Sequence, residues 1–302
     1  MQEIIKQISP DILLLSDFDY DADLRALNVF NQRLGAARYP HLFALRPNSG
    51  MHTGLDLNGD KRLGSPQDAQ GFGYFAGQGG LALLSRYPIN KSAVQDFSTL
   101  LWKDMPNALL PTWPDGSPFP SPKAQAVQRL SYVAHWLVPV QLPSGPLNLL
   151  AYQATPPVFD GPEDQNGKRN HDETAFWLHL LDTPQATPFV LLGGSNLDPA
   201  DGDGRVEVMQ ALLAHPALQD PKPASEGGRQ VANPSHKGDP ALDTADWKDP
   251  FPGNMRVDYV LPSAAFKVLD AGVFWPAPTA SNSALASRAS RHKLVWVDVE
   301  LP

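Results

Sequence analysis

The chain is predicted to be an α/β protein built on mixed sheets. Short apolar runs bounded by turn residues alternate with segments of helical spacing. Two of the runs, 130–140 and 147–151, lie close enough to pair through the turn Pro143-Ser144-Gly145-Pro146. With 302 residues, 42% hydrophobic and 19% charged, the chain has material for a large core.

The elements follow in order. Ile4, Ile5 and Ile8 give the opening segment an apolar helical face, and DILLLS at 11–16 reads as a buried strand. Over 21–34, Leu24, Leu27, Val29, Phe30 and Leu34 approach helical spacing behind acidic residues suited to a helix start. GFGYFAGQGG at 71–80 is too rich in glycine for either element and predicts a shaped loop, after which 81–85 resumes a strand. The proline-rich 102–123 predicts a surface excursion, and 156–170 a polar turn region leading into a helix over 171–181. A buried strand at 189–192, a helix at 205–213 and a long irregular stretch at 214–254 come next. Strands at 255–262, 268–273 and 294–301 complete the chain, which reads as one domain over 1–302 with irregular excursions near 102–127 and 214–254.

Bulk properties narrow the function. A net charge of -8 and a pI near 5.4 give little of the counterion release that drives binding to long nucleic acids. No apolar run approaches the ~20 residues of a membrane helix. With no cysteine, disulfides and thiolate metal sites are excluded. The first residues, MQEIIKQISPD, lack the charged-then-apolar layout of a secretion signal. Long nucleic acids and membranes are therefore poor candidate partners.

Four segments stop where apolar runs end and carry polar side chains suited to phosphate chemistry: LLLSDFDY at 13–20, LAYQATPP at 150–157, LGGSNLDP at 192–199 and SRHKLVW at 290–296. With the longer strings GFGYFAGQGGLALLSRYPI from Gly71, TPPVFDGPEDQNGKRNHDE from Thr155, GDPALDTADW from Gly238 and NMRVDYVLPS from Asn254, the chain resembles the endonuclease/exonuclease/phosphatase superfamily over nearly its whole length. It is most similar to a bacterial, often exported branch. The resemblance implies a deoxyribonuclease I-like four-layer sandwich of two packed mixed β-sheets flanked by helices. It also implies a phosphoester hydrolase using Mg²⁺ or Mn²⁺, whose site lies at one end of the sandwich and takes a small phosphoester or phosphate-like anion. Members open with a strand that this chain lacks, so an N-terminal strand is expected to be missing.

Carried over residue by residue, the resemblance assigns Asp17 to the metal-binding position usually held by Glu, with a reach shorter by about 1.3–1.5 Å. Gln153 stands where the family has a phosphate-contacting His, and can donate a hydrogen bond without ever being cationic. Gly194 replaces the Asp that orients or deprotonates the nucleophile, while Asn196 keeps its supporting place. Arg291 replaces a metal-side Asp beside His292, and Asp258 in RVDY keeps the role of pairing with that His. Asp17, Gln153, Gly194 and Arg291 are thus substituted family positions. Asn196, Asp258 and His292 are the catalytic candidates, and Gln153, Arg291 and Asn48 the substrate-binding ones.

Asp198 is the nearest carboxylate in sequence that could stand in for the base. Arg46, Arg129 and His135 are further phosphate candidates, His171 reads as a cap at a helix start, and His236 as a brace of the long loop. Losing one negative charge at 194 and reversing another at 291 moves the pocket by about three formal charges. Two functions remain in view: a metal-dependent phosphoesterase with weakened chemistry, or an inactive relative that holds an anion.

Overall fold

The computed structural model describes residues 1–249 and 251–300. In chain order the elements are α1 (Gln2–Ile8), β1 (Ile12–Phe18), α2 (Arg25–Gln32), β2 (His41–Phe43), β3 (Gly80–Ser85), β4 (Gln95–Asp96) and α3 (Pro122–Val127). They continue with β5 (Ala134–Leu142), β6 (Gly145–Gln153), α4 (Gln165–Leu181), β7 (Phe189–Gly194), α5 (Val206–Leu213) and α6 (Glu226–Gln230). The last are β8 (Ala245–Asp246), β9 (Asn254–Met255), β10 (Asp258–Pro262), β11 (Lys267–Val273), α7 (Ser283–Ala289) and β12 (Val295–Glu300).

The larger sheet runs β10-β7-β6-β5-β4, with β6 and β7 parallel and the other pairs antiparallel. A smaller antiparallel sheet runs β1-β3-β2, and β11 pairs with β12 in a ladder of its own. Side chains alternate along a strand, so each strand feeds two layers. Leu81 and Leu83 of β3 meet Trp136, Val138, Leu149 and Ala151 of β5 and β6 between the sheets. Phe43 crosses edge-on to Trp136 at 5.4 Å. On its outer face β3 sends Ala82 and Leu84 against Ile5 of α1 and Leu27 of α2. Leu150 and Tyr152 of β6 pack outward on Trp177 of α4 and Met209 and Leu212 of α5. Helix, sheet, sheet, helix is the four-layer sandwich expected. Strands β3, β5 and β6 are buried on both faces, which is why they read as nearly continuous apolar runs.

Three expectations need correction. The 102–123 excursion is not wholly superficial, because Trp102, Met105 and Phe119 are buried. Helix α4 begins at Gln165, six residues before the expected start. Its first turns are polar because those side chains are buried and hydrogen-bond neighbouring loops; Gln165, Arg169 and Asn170 are all buried. The 214–254 stretch holds one helix, α6, and the short strand β8, with Pro250 outside the described residues, as is Leu301 at the end of the last expected strand. Among the described residues no helix is long and apolar enough to cross a membrane.

Candidate active site

The parallel pairing of β6 with β7 sets Gln153 opposite Gly194, and the antiparallel pairing of β7 with β10 sets Gly194 opposite Asp258. These three positions, far apart in sequence, form one row across adjacent strand ends. Their side chains share a face: a Cβ added to Gly194 would lie 3.4 Å from Asp258 Oδ1 and 3.7 Å from Gln153 Cγ. Gln153 Oε1 is buried and has no hydrogen-bond partner among the described residues.

His292 joins the row from the segment before β12. Its Nδ1 is 2.8 Å from Asp258 Oδ2, and because a carboxylate only accepts, Nδ1 carries the proton and Nε2 is left for a ligand. Thr244 completes the arrangement. Its Oγ1 donates to Asp258 Oδ2 at 3.0 Å and accepts the Val257 and Asp258 amides, each at 3.0 Å. The backbone around Thr244 pairs with that around His292, and the Trp247 ring stands edge-on to the imidazole at 5.2 Å. The charge of Asp258 raises the His292 pKa against the opposing effect of burial, with Asp17 adding in the same direction.

The pH consequence has a definite sign. A raised folded value means that the His292 proton stabilises the fold fully below the ordinary value of 6.5, and that this contribution is lost as pH rises through the raised value. An NMR titration should find the imidazole titrating above 6.5 in the parent and lower in Asp258→Asn. Equal titration in both would show that Asp258 does not hold the charge.

Asp17 sits on a bulge of β1 between Leu15 and Phe18, at φ 55°. Its carboxylate crosses over Gly79, where a Cβ would come within 2.8 Å of Oδ1, so that position is closed to a side chain. Asp19 lies beside it and accepts the Gly79 amide at 2.9 Å. Burial first and Asp19 second raise the Asp17 pKa, while His292 lowers it. The donor set here fits Mg²⁺ or Mn²⁺ in one way only. Mg²⁺ is commonly held through one or two carboxylates plus water and substrate phosphate, which Asp17 and Asp19 can supply. No cluster of three metal-binding side chains exists among the described residues, so a closed protein cage is not formed.

Other candidates are placed differently. Asn196 adopts φ 51° and donates from Nδ2 to the carbonyl of Ala154, the residue after Gln153, at 2.7 Å. Arg291 is exposed; among the described residues its backbone carbonyl accepts the Asp246 amide at 3.1 Å. Arg46 is also exposed. Asn48 is buried; its Nδ2 donates to Ser98 O and Ser131 O, and its Oδ1 accepts Arg129 Nη1 at 2.7 Å. That pair ties loops together instead of facing a substrate. His135 is buried in an aromatic cluster, stacked on Trp177 at 5.3 Å, with both ring nitrogens bonded and its pKa pushed down to about 4 by burial.

Asp198 cannot stand in for the base, because its two oxygens accept the amides of Ala200, Asp201 and Arg256 at 2.7, 2.9 and 2.6 Å. His171 is inside α4, not at its start, and pairs with buried Asp172 at 2.9 Å. His236 is enclosed with its Nε2 3.7 Å from Asp201 and 3.6 Å from Asp243, within the loop it was expected to brace.

Behind the row, α4 supplies residues that the sequence reading passed over. Arg169 donates to the carbonyls of Gln70, Arg129, Leu130 and Ser131. Asn170 Nδ2 bridges Thr155 O and Ser195 O, both at 2.7 Å. Glu173 accepts the amides of Tyr132 at 2.6 Å and Thr155 at 2.7 Å; burial raises its pKa, and the Arg169 charge opposes that. The signal was available: RNHDE puts Arg, Asn and Glu at helical spacing just where a helix turns apolar.

Comparison with known proteins agrees with the fold. The profile described as "Endonuclease/Exonuclease/phosphatase family" matches residues 1–292. No curated protein matches the chain. Among solved structures, an endonuclease/exonuclease/phosphatase from Beutenbergia cavernae superimposes with a TM-score of 0.58 at 17% identity, over 99% of this chain and 65% of that one. The present chain therefore spans slightly under two thirds of that protein. A family protein from Leptotrichia buccalis gives 0.54 at 16% identity over 99% and 91% of the two chains. An AP endonuclease from Archaeoglobus fulgidus gives 0.53 at 11% identity over 100% and 93%. At such identities the likeness is one of fold.

Proposed function

The chain belongs to the endonuclease/exonuclease/phosphatase family, and we propose on that premise that it is a slow, divalent-metal-dependent hydrolase of small phosphoesters. The observation that carries this reading is the 2.8 Å Asp258–His292 pair, set in one row with Gln153 and close enough to Asp17 for each to bias the other's charge.

Asp17, with Asp19 beside it, would hold Mg²⁺ or Mn²⁺. When bound, the ion polarises a phosphoryl oxygen as a Lewis acid. The chain's own residues do the remaining work. His292, whose cationic form the Asp258 charge favours, presents Nε2 to the phosphate. The Gln153 amide and the exposed Arg291 fork add donors on the same side, and Asn196 orients the group that approaches phosphorus. No side chain at 194 takes a proton from the attacking water. A positioned base contributes roughly 10²–10⁴-fold, so turnover is low for that reason.

The test is hydrolysis of an aryl phosphodiester and an aryl phosphomonoester with Mg²⁺ or Mn²⁺ and with chelator. Chelator-sensitive release of the aryl alcohol is expected. A silent, folded protein would defeat the reading. One observation favours a second reading in that event: two family carboxylates are replaced, one of them by exposed Arg291, which suits an inactive relative holding a phosphate-like anion. Calorimetry with phosphate in chelator separates the two, because binding seen only with metal would rule the second out.

A further inference from the structure

The loop GFGYFAGQGG, beside Asp17, turns three aromatic rings toward solvent: Phe72 is 39% exposed, Tyr74 71% and Phe75 50%. Large apolar side chains left in water forgo the stabilisation that burial gives. These rings cannot fold inward, because the loop beneath them is fixed. Gly50 N donates to Gly71 O at 2.8 Å, Tyr74 N to Gln78 Oε1 at 2.7 Å, Gly77 N to Ser49 O at 3.4 Å, and Ser49 Oγ to Gln78 O. The chain runs so close to its neighbours that a Cβ on Gly50 would fall 1.8 Å from Phe75 O, and one on Gly71 2.0 Å from Tyr132 O. Phe72 stands edge-on to Tyr74 at 5.6 Å and 84°, which sets the plane of the tyrosine ring.

The rings open onto the candidate site. Tyr74, Phe75 and Gln78 line one pocket of about 570 Å³ together with Asp17, Phe18 and Asp19. That volume lies within the range that takes a small molecule. Gln78 uses its Oε1 on the Tyr74 amide, so its amino group remains to donate. The net charge of -8 argues against a long polyanion in the same place.

We infer that Tyr74 and Phe75 are specificity determinants that stack a single flat ring, a nucleobase or an aryl group, carried on the phosphoester whose phosphate lies at Asp17 and His292. The inference rests on the phosphoester reading of that site. Ring faces of this kind favour a planar π-system over an alkyl chain of equal area. One base on one aromatic side chain is enough to shift affinity about tenfold.

The experiment is titration calorimetry in Mg²⁺ with AMP, ribose 5-phosphate and hexyl phosphate. AMP is expected to bind about tenfold tighter than either of the others. In the Tyr74→Ala/Phe75→Ala double variant the ratio of AMP to ribose 5-phosphate affinity falls toward one, while Tyr74→Phe keeps it. Both side chains are exposed, so the variants should fold, and a melting curve for each checks this. Equal affinity for AMP and ribose 5-phosphate in the parent overturns the inference, as does hexyl phosphate matching AMP. If none of the three binds, the phosphoester reading itself falls, and this inference with it.

Discussion

Restoring two carboxylates, Gly194→Asp together with Arg291→Asp, should raise chelator-sensitive hydrolysis of an aryl phosphodiester by about 10²-fold or more, the share that general-base assistance supplies. The structure has room for the first change. A Cβ at 194 meets only Asp258 Oδ1 at 3.4 Å and Gln153 Cγ at 3.7 Å, both ordinary contacts. Its neighbour has none: Gly193 has φ 143°, and a Cβ there would sit 1.9 Å from Tyr152 O. The new carboxylate would lie beside Asp258, and like charge raises the pKa of such a group, which suits a base near neutral pH. The second change replaces an exposed cation with an anion. Steady-state rates of parent, single and double variants decide the matter. A double variant no faster than the parent would place the deficit at Asp17 or Gln153 instead.

The largest expected effect on stability is at Arg169. Arg169→Met should cost about 3–5 kcal/mol, because each buried carbonyl left without a donor costs about 1–3 kcal/mol. The guanidinium is buried, stands 5.6 Å over the Tyr132 ring, and satisfies four carbonyls drawn from residues 70 and 129–131. Its loss leaves those carbonyls without a donor. Urea unfolding of the variant measures the cost. A loss under about 1 kcal/mol would mean that water replaces the guanidinium and that the loops are not pinned by it.

Much of the fold was legible because the two-sided burial of β3, β5 and β6 leaves apolar runs that only strands of a packed sheet explain. The start of α4 was not, since polarity normally marks a loop, and here Arg169 and Asn170 turn their polar groups inward. The same inversion hid Trp102 and Phe119 in a stretch whose prolines suggested the surface. In the site, Gln153, Gly194, Asp258 and His292 could be read only through resemblance, because sheet register, not spacing, brings them into one row. Asn48 and Asp198 show the limit of residue type: the groups that bind a substrate also tie loops and cap turns, and sequence does not tell the two uses apart. Thr244 left no signal, as a threonine that braces a carboxylate looks like any other.

The amide of Asn170 reaches Thr155 O and Ser195 O at once, one just past the end of β6 and the other just past the end of β7. In dynamical terms this removes a degree of freedom: the segment carrying Gln153 and the segment carrying Asn196 shift as one body against α4. A shift of one segment is therefore expected to carry the other with it, without a relay through the sheet.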